Sequence, residues 1–281
     1  MNGWLEHWIV PPGHQVPPAL YVPATAAALL MIATSKGGFG GLAVAASPLM
    51  LMVLDAKTAL GLLLPMLALC DLMTLPFYPR EYAWRPILLL APWTLAGILA
   101  GWFLLGRVNP LTMPLLNVGV GGLAVVFAVL EVVRWHMVRR SVFGDRPAAP
   151  WRPGVLVSVP FGFAAGLCTM LAHAAGAVTT IYLLPQRLDA QVFAGTTNRY
   201  YLAVNLIKVP FYVYLGMITA ETLRYSVWLL PVAFFGVWAG AYLNRRVSQR
   251  GFRFIVVVLL LASGAVLVYR DRWVIAAVFD R

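Results

Sequence analysis

Long apolar runs, separated by charged or Pro/Gly-rich breaks, divide the chain into ten segments. Their boundaries are 19–34, 42–54, 58–78, 86–105, 111–133, 154–171, 176–185, 193–218, 225–243 and 252–269. Several approach the roughly 20 apolar residues that an α-helix needs to cross a bilayer. The second and seventh are too short to cross as straight helices, and they follow the small-residue breaks "SKGGFGG" and "LAHAAG". The pattern predicts an all-α polytopic membrane protein with broken or short helices at segments 1–2 and 6–7.

Composition excludes an ordinary soluble domain. The chain is 61% hydrophobic and 11% charged, with a mean hydropathy of +0.81, whereas soluble domains carry about 25% charged residues. The net charge of +11 does not indicate a nucleic-acid partner, because the arginines cluster in short loops at the ends of apolar segments. Basic residues in such loops set membrane orientation.

The two halves of the chain resemble each other. "LDAKTALG" (54–61) matches "LDAQVFAG" (188–195) at an offset of 134, which also carries Asp71 onto Asn205 and "PFY" (76–78) onto "PFY" (210–212). After a shift of five residues, further matches follow in the same order: Pro92, Gly97, Gly101 and Arg107 fall on Pro231, Gly236, Gly240 and Arg246. We infer an internal duplication, with repeats at 19–133 and 154–269 around a basic linker at 134–153.

An odd number of segments per repeat would invert the second repeat relative to the first. If segments one and two cross and return, thirteen basic residues fall on the side of the linker and six on the other. This bias predicts inverted repeats, a cytoplasmic linker, an external N-terminal segment (1–18) and an external tail (270–281). If segments one and two make a single crossing, the split is about eleven to seven, and a parallel-repeat arrangement stays open.

Two motifs resemble the TauE/SafE sulfite-exporter family, also called the TSUP transporters. The first half carries "SKGGFGG", "ASPLM" and "CDLMTLPFYPREYAW", and the second carries "AHAAGAVTTIYLLPQRL" and "FAGTTNRYYLAVNLIKVPFY". The resemblance covers residues 20–270. It implies a multi-pass carrier in the inner (cytoplasmic) membrane that moves sulfite or a related organosulfonate, thiosulfate or sulfate, usually outward. Many members have a Gly-Thr-Ser turn where this chain has "GTTNRYY" with Arg199, so the substrate stays open.

The first break predicts an anion cradle. Glycines permit positive φ and let backbone N–H groups face a cavity, a helix beginning there offers its positive dipole end, and lysine and hydroxyl side chains add donors. The candidate residues are Thr34, Ser35, Lys36, Gly37, Gly38 and Gly40. The alternative is a tight turn at the membrane surface, with Lys36 acting only as a topology signal.

The second break predicts the other half of the site. His173 can donate a hydrogen bond and can change charge near physiological pH, and Gly176 and Thr179 follow it; the alternative is a histidine bonded to a backbone carbonyl. Three further candidates, Thr197, Asn198 and Arg199, lie near the start of segment eight. Arg199 either contacts substrate or extends to the membrane interface.

Asp71 and Lys208 lie deep within segments three and eight, where a central charge costs roughly 2.5–3.5 kcal/mol, so neither is expected to face lipid. Lys208 follows Asn205 by three residues and shares its helical face. The sequence predicts a buried pair between Asp71 and Lys208. The alternative gives Asp71 a coupling proton and Lys208 the anion.

These observations favour a secondary anion transporter that works by alternating access, without a cofactor and with no metal site. The scattered histidines lack metal-ligand spacing, and no G-x-S-x-G, H-E-x-x-H or P-loop motif is present. Two alternatives stay open: an intramembrane enzyme that uses His173 and Asp71 on a lipid-linked substrate, and a non-transporting scaffold. Expected partners are a small anionic sulfur substrate and membrane lipids, with proton coupling and a homo-oligomer left open.

Overall fold

The computed structural model describes residues 11, 16–36, 42–108, 113–142, 151–243, 257–258, 261–262, 264–266 and 268–272. Within this part the secondary structure is helical and contains no strand. The helices are α1 (Pro18–Lys36), α2 (Leu42–Val53), α3 (Ala56–Thr74), α4 (Trp84–Leu105), α5 (Met113–Val142), α6 (Val155–Ala172), α7 (Ala175–Leu183), α8 (Ala190–Tyr214) and α9 (Ala220–Leu243). Short 3₁₀ turns follow α3 at Leu75–Phe77 and α7 at Leu184–Gln186, and helical residues recur between 257 and 270.

The all-α polytopic fold predicted from the apolar runs is confirmed. Five of the described helices contain stretches long and apolar enough to cross a membrane: Ala19–Lys36, Ala56–Phe77, Trp84–Leu105, Val155–Ala172 and Ala220–Ala239. By contrast, α2 has 12 residues and α7 has 9. At 1.5 Å per residue neither can span a hydrocarbon core of about 30 Å.

Local sequence sets where these helices begin and end. Asp55 caps α3, since its side chain accepts a hydrogen bond of 3.1 Å from the Thr58 N–H. His173 ends α6 in the left-handed conformation, with φ of 52°, and this single reversal separates α6 from α7 at the predicted "LAHAAG" break.

One boundary differs from the prediction. Helix α5 continues to Val142, nine residues beyond the apolar run that ends at 133. Charged residues end an apolar run, but they do not end a helix, because arginine is a good helix former. The first part of the 134–153 segment is therefore helical.

Corresponding helices of the two halves make corresponding contacts. Helix α3 packs against its counterpart α8, α4 packs against α6, and α9 packs against α1. Glycines allow two of these approaches: a Cβ on Gly97 would lie 2.1 Å from the Phe163 carbonyl oxygen, and a Cβ on Gly236 would lie 2.6 Å from the Ala33 Cβ. These glycines are the pair matched between the repeats, so the duplication is reflected in the packing.

Loops gather at two ends of the helices. At one end, which we call the Arg80 face, loop 78–83 meets the start of α8, since Thr196 Oγ1 accepts a 2.8 Å hydrogen bond from the Ala83 N–H. Trp151 donates there to the Pro185 carbonyl at 3.2 Å.

At the other end, the Lys57 face, the first residues of α3 share pockets with 105–108 and 214–225. Helices α3, α4 and α8 each connect the two faces. The pair α6–α7 begins and ends at the Arg80 face, and α1–α2 begins and ends at the Lys57 face.

Candidate anion site

A cavity of about 100 Å³ lies where the two broken regions meet. It is lined by Ser35, Lys36, Ala43, Leu67, Thr169, His173, Ala175, Gly176, Thr180, Phe193, Ala194, Thr197, Asn198, Tyr201 and Asn205. The volume equals that of about three water molecules at roughly 30 Å³ each, and it is well below the 300–1,000 Å³ of typical drug-sized ligand pockets. The cavity suits a small ion.

One face of α8 forms the long wall of this cavity. Phe193, Thr197, Tyr201 and Asn205 recur every four residues along it, a length of about 18 Å at 1.5 Å per residue. Phe193, Thr197 and Tyr201 are partly buried, whereas Asn205 and the next residue of the face, Lys208, are fully buried. The wall residues are therefore more deeply buried with distance from the Arg80 face.

Lys36 and Asp71 form a buried ion pair at the cavity wall. Lys36 Nζ lies 2.6 Å from Asp71 Oδ1, and the two side chains are 9% and 0% exposed. The ammonium group also lies 4.4 Å from the centroid of the Tyr201 ring, a cation–π contact. Asp71 Oδ2 accepts a 2.7 Å hydrogen bond from Asn205 Nδ2, and Asn198 Nδ2 donates to the Asp71 carbonyl at 3.1 Å.

Lys208 is buried among neutral acceptors. Its Nζ lies 3.1 Å from the Thr169 carbonyl oxygen, 2.9 Å from Thr169 Oγ1 and 3.0 Å from His173 Nδ1, which matches the three N–H donors of an ammonium group. His173 Nε2 is 3.0 Å from the Leu60 carbonyl oxygen, so Nε2 carries the proton and Nδ1 accepts. Among the described residues, Lys208 has no carboxylate within ion-pair distance.

The structure differs from the predicted pair between Asp71 and Lys208, because the residue paired with Asp71 is Lys36. The repeat register places Asp71 opposite Asn205, and these two side chains are in contact. Lys208 lies nearly one turn farther along α8, where its side chain bonds to the end of α6. Helix α1 ends beside Asp71, so its last residue, Lys36, forms the ion pair with the Asp71 carboxylate.

The first break contributes two of its candidates to the cavity wall, Ser35 and Lys36. Thr34 does not line the cavity: its hydroxyl donates to the Leu30 carbonyl at 2.5 Å, within its own helix. The glycines predicted to complete the cradle, Gly37, Gly38 and Gly40, lie outside the described residues.

The second break places His173 and Gly176 on the cavity wall, joined by Thr197 and Asn198 from α8. Thr179 lies behind the wall, with its hydroxyl 3.0 Å from the Ala175 carbonyl and 2.5 Å from the Tyr201 hydroxyl. It orients Tyr201 rather than reaching the cavity.

Arg199 lies away from the cavity. Its guanidinium donates to the Pro79 carbonyl at 3.0 Å and lies 3.9 Å from the centroid of the Tyr82 ring. It holds loop 78–83 at the Arg80 face, so the interfacial role is the one that the structure favours over substrate contact.

Sequence reasoning missed two wall residues with polar groups, Thr169 and Tyr201. The repeat offset of 134 could have found both of them. It places Thr169 opposite Ser35 and Tyr201 opposite Leu67, and all four line the cavity.

The arrangement is suited to binding an oxyanion, because the Lys36 ammonium group and hydroxyl groups from both halves line a small space, and the Lys208 ammonium group lies directly behind the wall formed by Thr169 and His173. Comparison with the curated proteins and with the solved structures gives no significant match. The profile of the family described as sulfite exporter TauE/SafE matches residues 25–267, most of the chain. The chain therefore belongs to the sulfite exporter TauE/SafE family of membrane transport proteins.

Proposed function

We propose that this protein is a secondary transporter that binds sulfite, or a related sulfur oxyanion, in the cavity between its two halves and exports it by alternating access. The observation that carries this proposal is the charge of the cavity. Lys36 of the N-terminal half lines the cavity, and Lys208 of the C-terminal half lies directly behind its Thr169 and His173 wall. Of these two lysines, Lys36 alone is paired with Asp71 within the described residues. A buried ammonium group without a counter-ion is costly, and an anion in the cavity would offset that cost.

The lining also fits the shape of a sulfur oxyanion. Ser35 and Thr169 offer hydroxyl donors, and the Asn198 and Asn205 amides can donate from the α8 wall. The cavity of about 100 Å³ leaves room for an ion of a few heavy atoms but not for a lipid-linked substrate. The transporter is thus favoured over the intramembrane enzyme.

Alternating access is supported by the relation between the halves. The α1–α2 pair enters from the Lys57 face and the α6–α7 pair enters from the Arg80 face, and their ends meet at the cavity. Transporters with inverted repeats bind substrate near such broken helices and change access by moving one repeat against the other. The bias of basic residues favours a cytoplasmic Arg80 face, so the less deeply buried end of the α8 wall would lie toward the cytoplasm.

Sulfite flux across proteoliposomes tests the proposal. Vesicles with the wild-type chain should show saturable movement of radiolabelled sulfite, and protein-free vesicles should not. Lys208→Met should abolish most of the flux, because the deep ammonium group is lost. Lys57→Met is the matched control: it removes an exposed lysine outside the cavity and should leave the flux unchanged. Equal flux in both variants would contradict the assigned site.

A further inference from the structure

We propose that Asp71 is the proton-coupling residue of this transporter. Its carboxylate forms an ion pair with Lys36 when the cavity is empty, and it takes up one proton when a divalent sulfur oxyanion binds. This inference rests on the proposed function and adds the coupling ion and the charge of the substrate. It starts from the contact in which Lys36 Nζ is 2.6 Å from Asp71 Oδ1, because a carboxylate at that position competes directly with any anion for the same ammonium group.

The charges around the cavity indicate why a proton is needed. With Lys36 and Lys208 as ammonium groups and Asp71 ionised, the empty site carries one net positive charge. A bound dianion would leave one net negative charge in a buried space, whereas a dianion together with a protonated Asp71 leaves none. Buried charges are stable only when they are matched, so the dianion and the proton should bind together.

Asn198 is placed to hold the proton. Its Oδ1 is buried and has no hydrogen-bond partner within the described part of the chain, although buried acceptors are nearly always bonded. Its Nδ2 lies 3.4 Å from Asp71 Oδ1 and 3.1 Å from the Asp71 carbonyl oxygen. Rotating this amide by a half turn would present Oδ1 to Asp71 as an acceptor, which is of use only when Asp71 carries a proton.

The exchange can be written as a balanced step. A proton from water on the Arg80 face forms an O–H bond at Asp71 Oδ1, and the hydrogen bond from Lys36 Nζ to that oxygen breaks. Lys36 then donates to an oxygen of the anion, while the new O–H group donates to Asn198. Asn205 keeps its 2.7 Å bond to Asp71 Oδ2 throughout. Release of the anion on the other face returns the proton to water and restores the ion pair.

Few other titratable groups face Asp71. Helix α1 presents Lys36, and α8 presents Lys208 and Tyr201. Cys70 precedes Asp71 on α3, and His173 of α6 lies beyond Lys208, at 3.0 Å from its Nζ.

Helices α2, α5 and α9 meet α3 through an apolar cluster to which they contribute Tyr225 of α9 as a titratable group; Tyr21 of α1, Cys70 of α3 and Cys168 of α6 belong to the same cluster. Asp71 is thus the carboxylate available to the cavity in the described part of the chain. The transported unit, a dianion with one proton, carries one net negative charge, which an inside-negative membrane potential drives outward.

Proton uptake on binding tests this inference. Thiosulfate and sulfate are titrated calorimetrically into the purified full chain in two buffers of different ionisation enthalpy, as is sulfite at an alkaline pH where its dianion dominates. The wild type should take up about one proton per dianion. Asp55→Asn should behave likewise, because Asp55 lies outside the cavity and asparagine also caps helices. Asp71→Asn should bind the dianion without proton uptake.

Several outcomes would overturn the inference. Proton uptake that persists in Asp71→Asn, or that is absent in the wild type, contradicts it. Should Asp71→Asn fail to fold, the wild type still provides a test: its dianion affinity should fall about tenfold per pH unit where Asp71 is ionised in the empty protein, and a flat profile contradicts the inference. Binding without proton uptake would leave the proposed transport intact, whereas no binding of any of the three anions would overturn both.

Discussion

The N-terminal half contributes a lysine on the cavity wall that already has a counter-ion, whereas the lysine of the C-terminal half lies behind that wall and is bonded, among the described residues, to neutral acceptors. Lys36 lies 2.6 Å from Asp71, while Lys208 bonds to Thr169 and His173. The residue matched to Asp71 at the offset of 134 is Asn205, which carries no charge. A single carboxylate therefore makes the two matched regions differ in charge although their helices correspond.

The largest expected effect comes from separating Asp71 and Lys36. Asp71→Asn strands the Lys36 ammonium group in a buried site, and we expect a loss of about 3–5 kcal/mol in the free energy of unfolding. Adding Lys36→Met should recover much of that loss, since neither charge then remains unpaired. Thermal unfolding of the single and double variants in detergent measures this coupling.

The matched comparison is a double-mutant cycle that combines Asp71→Asn with Lys208→Met and measures the free energy of unfolding. Because Lys208 lacks a direct contact with Asp71, the coupling in this cycle should be clearly smaller than in the cycle with Lys36. A larger coupling to Lys208 would restore the pairing predicted from the sequence.

The second prediction concerns anion affinity and contrasts two basic residues of α8. Lys208→Met should weaken binding of the transported anion roughly tenfold, since a unit charge about 10 Å away at an effective dielectric constant near 20 contributes about 1.7 kcal/mol. Arg199→Met should change affinity by less than about threefold, because Arg199 bonds to Pro79 and Tyr82 outside the cavity. Thermal-shift titration with sulfite, sulfate and thiosulfate compares them. A comparable loss in Arg199→Met would place the arginine in the site.

The third prediction tests whether the halves are equivalent in packing although they differ in charge. A Cβ on Gly61 would lie 1.9 Å from the Met217 carbonyl oxygen, and one on Gly195 would lie 1.8 Å from the Glu81 carbonyl oxygen. These glycines are repeat partners at the offset of 134. Alanine at either should destabilise by about 1–3 kcal/mol through overpacking against backbone.

Gly119→Ala in α5 is the control for this pair, because nothing lies within 4 Å of its Cβ position, and it should not destabilise. Thermal unfolding of the three variants gives the comparison. A marked difference between Gly61→Ala and Gly195→Ala would mean that the two approaches are not equivalent.

The sequence predicted the positions of the helices around this site better than it predicted which side chains form ion pairs there. The apolar runs located the helices, and the repeat offset placed Asp71 opposite Asn205, because both depend on residue order alone. The partner of Asp71 depends instead on how deep each broken helix reaches, which residue spacing does not give, so the sequence predicted Lys208 where the structure has Lys36. Arg199 shows the same limit: its position in "GTTNRYY" suggested substrate contact, but the fold turns it toward Tyr82.

The smallest expected effect compares two adjacent hydroxyl groups of α1. Ser35 lines the cavity, whereas the Thr34 hydroxyl bonds to the Leu30 carbonyl at 2.5 Å. Ser35→Ala should weaken anion binding by a few-fold, in line with about 0.5–1.5 kcal/mol for a neutral hydrogen bond. Thr34→Val should leave affinity unchanged. The same thermal-shift titration decides between them, and a greater loss in Thr34→Val would assign the donor to Thr34.

The position of the bound anion tests the central claim most directly. Selenate is a tetrahedral dianion whose selenium can be located by its anomalous scattering in crystals of the full chain. We expect a selenium peak beside the Lys36 ammonium group and the Tyr201 ring, within reach of the Thr169 hydroxyl. A selenium peak only at exposed basic residues such as Lys57, with no peak in this cavity, would contradict the assigned site.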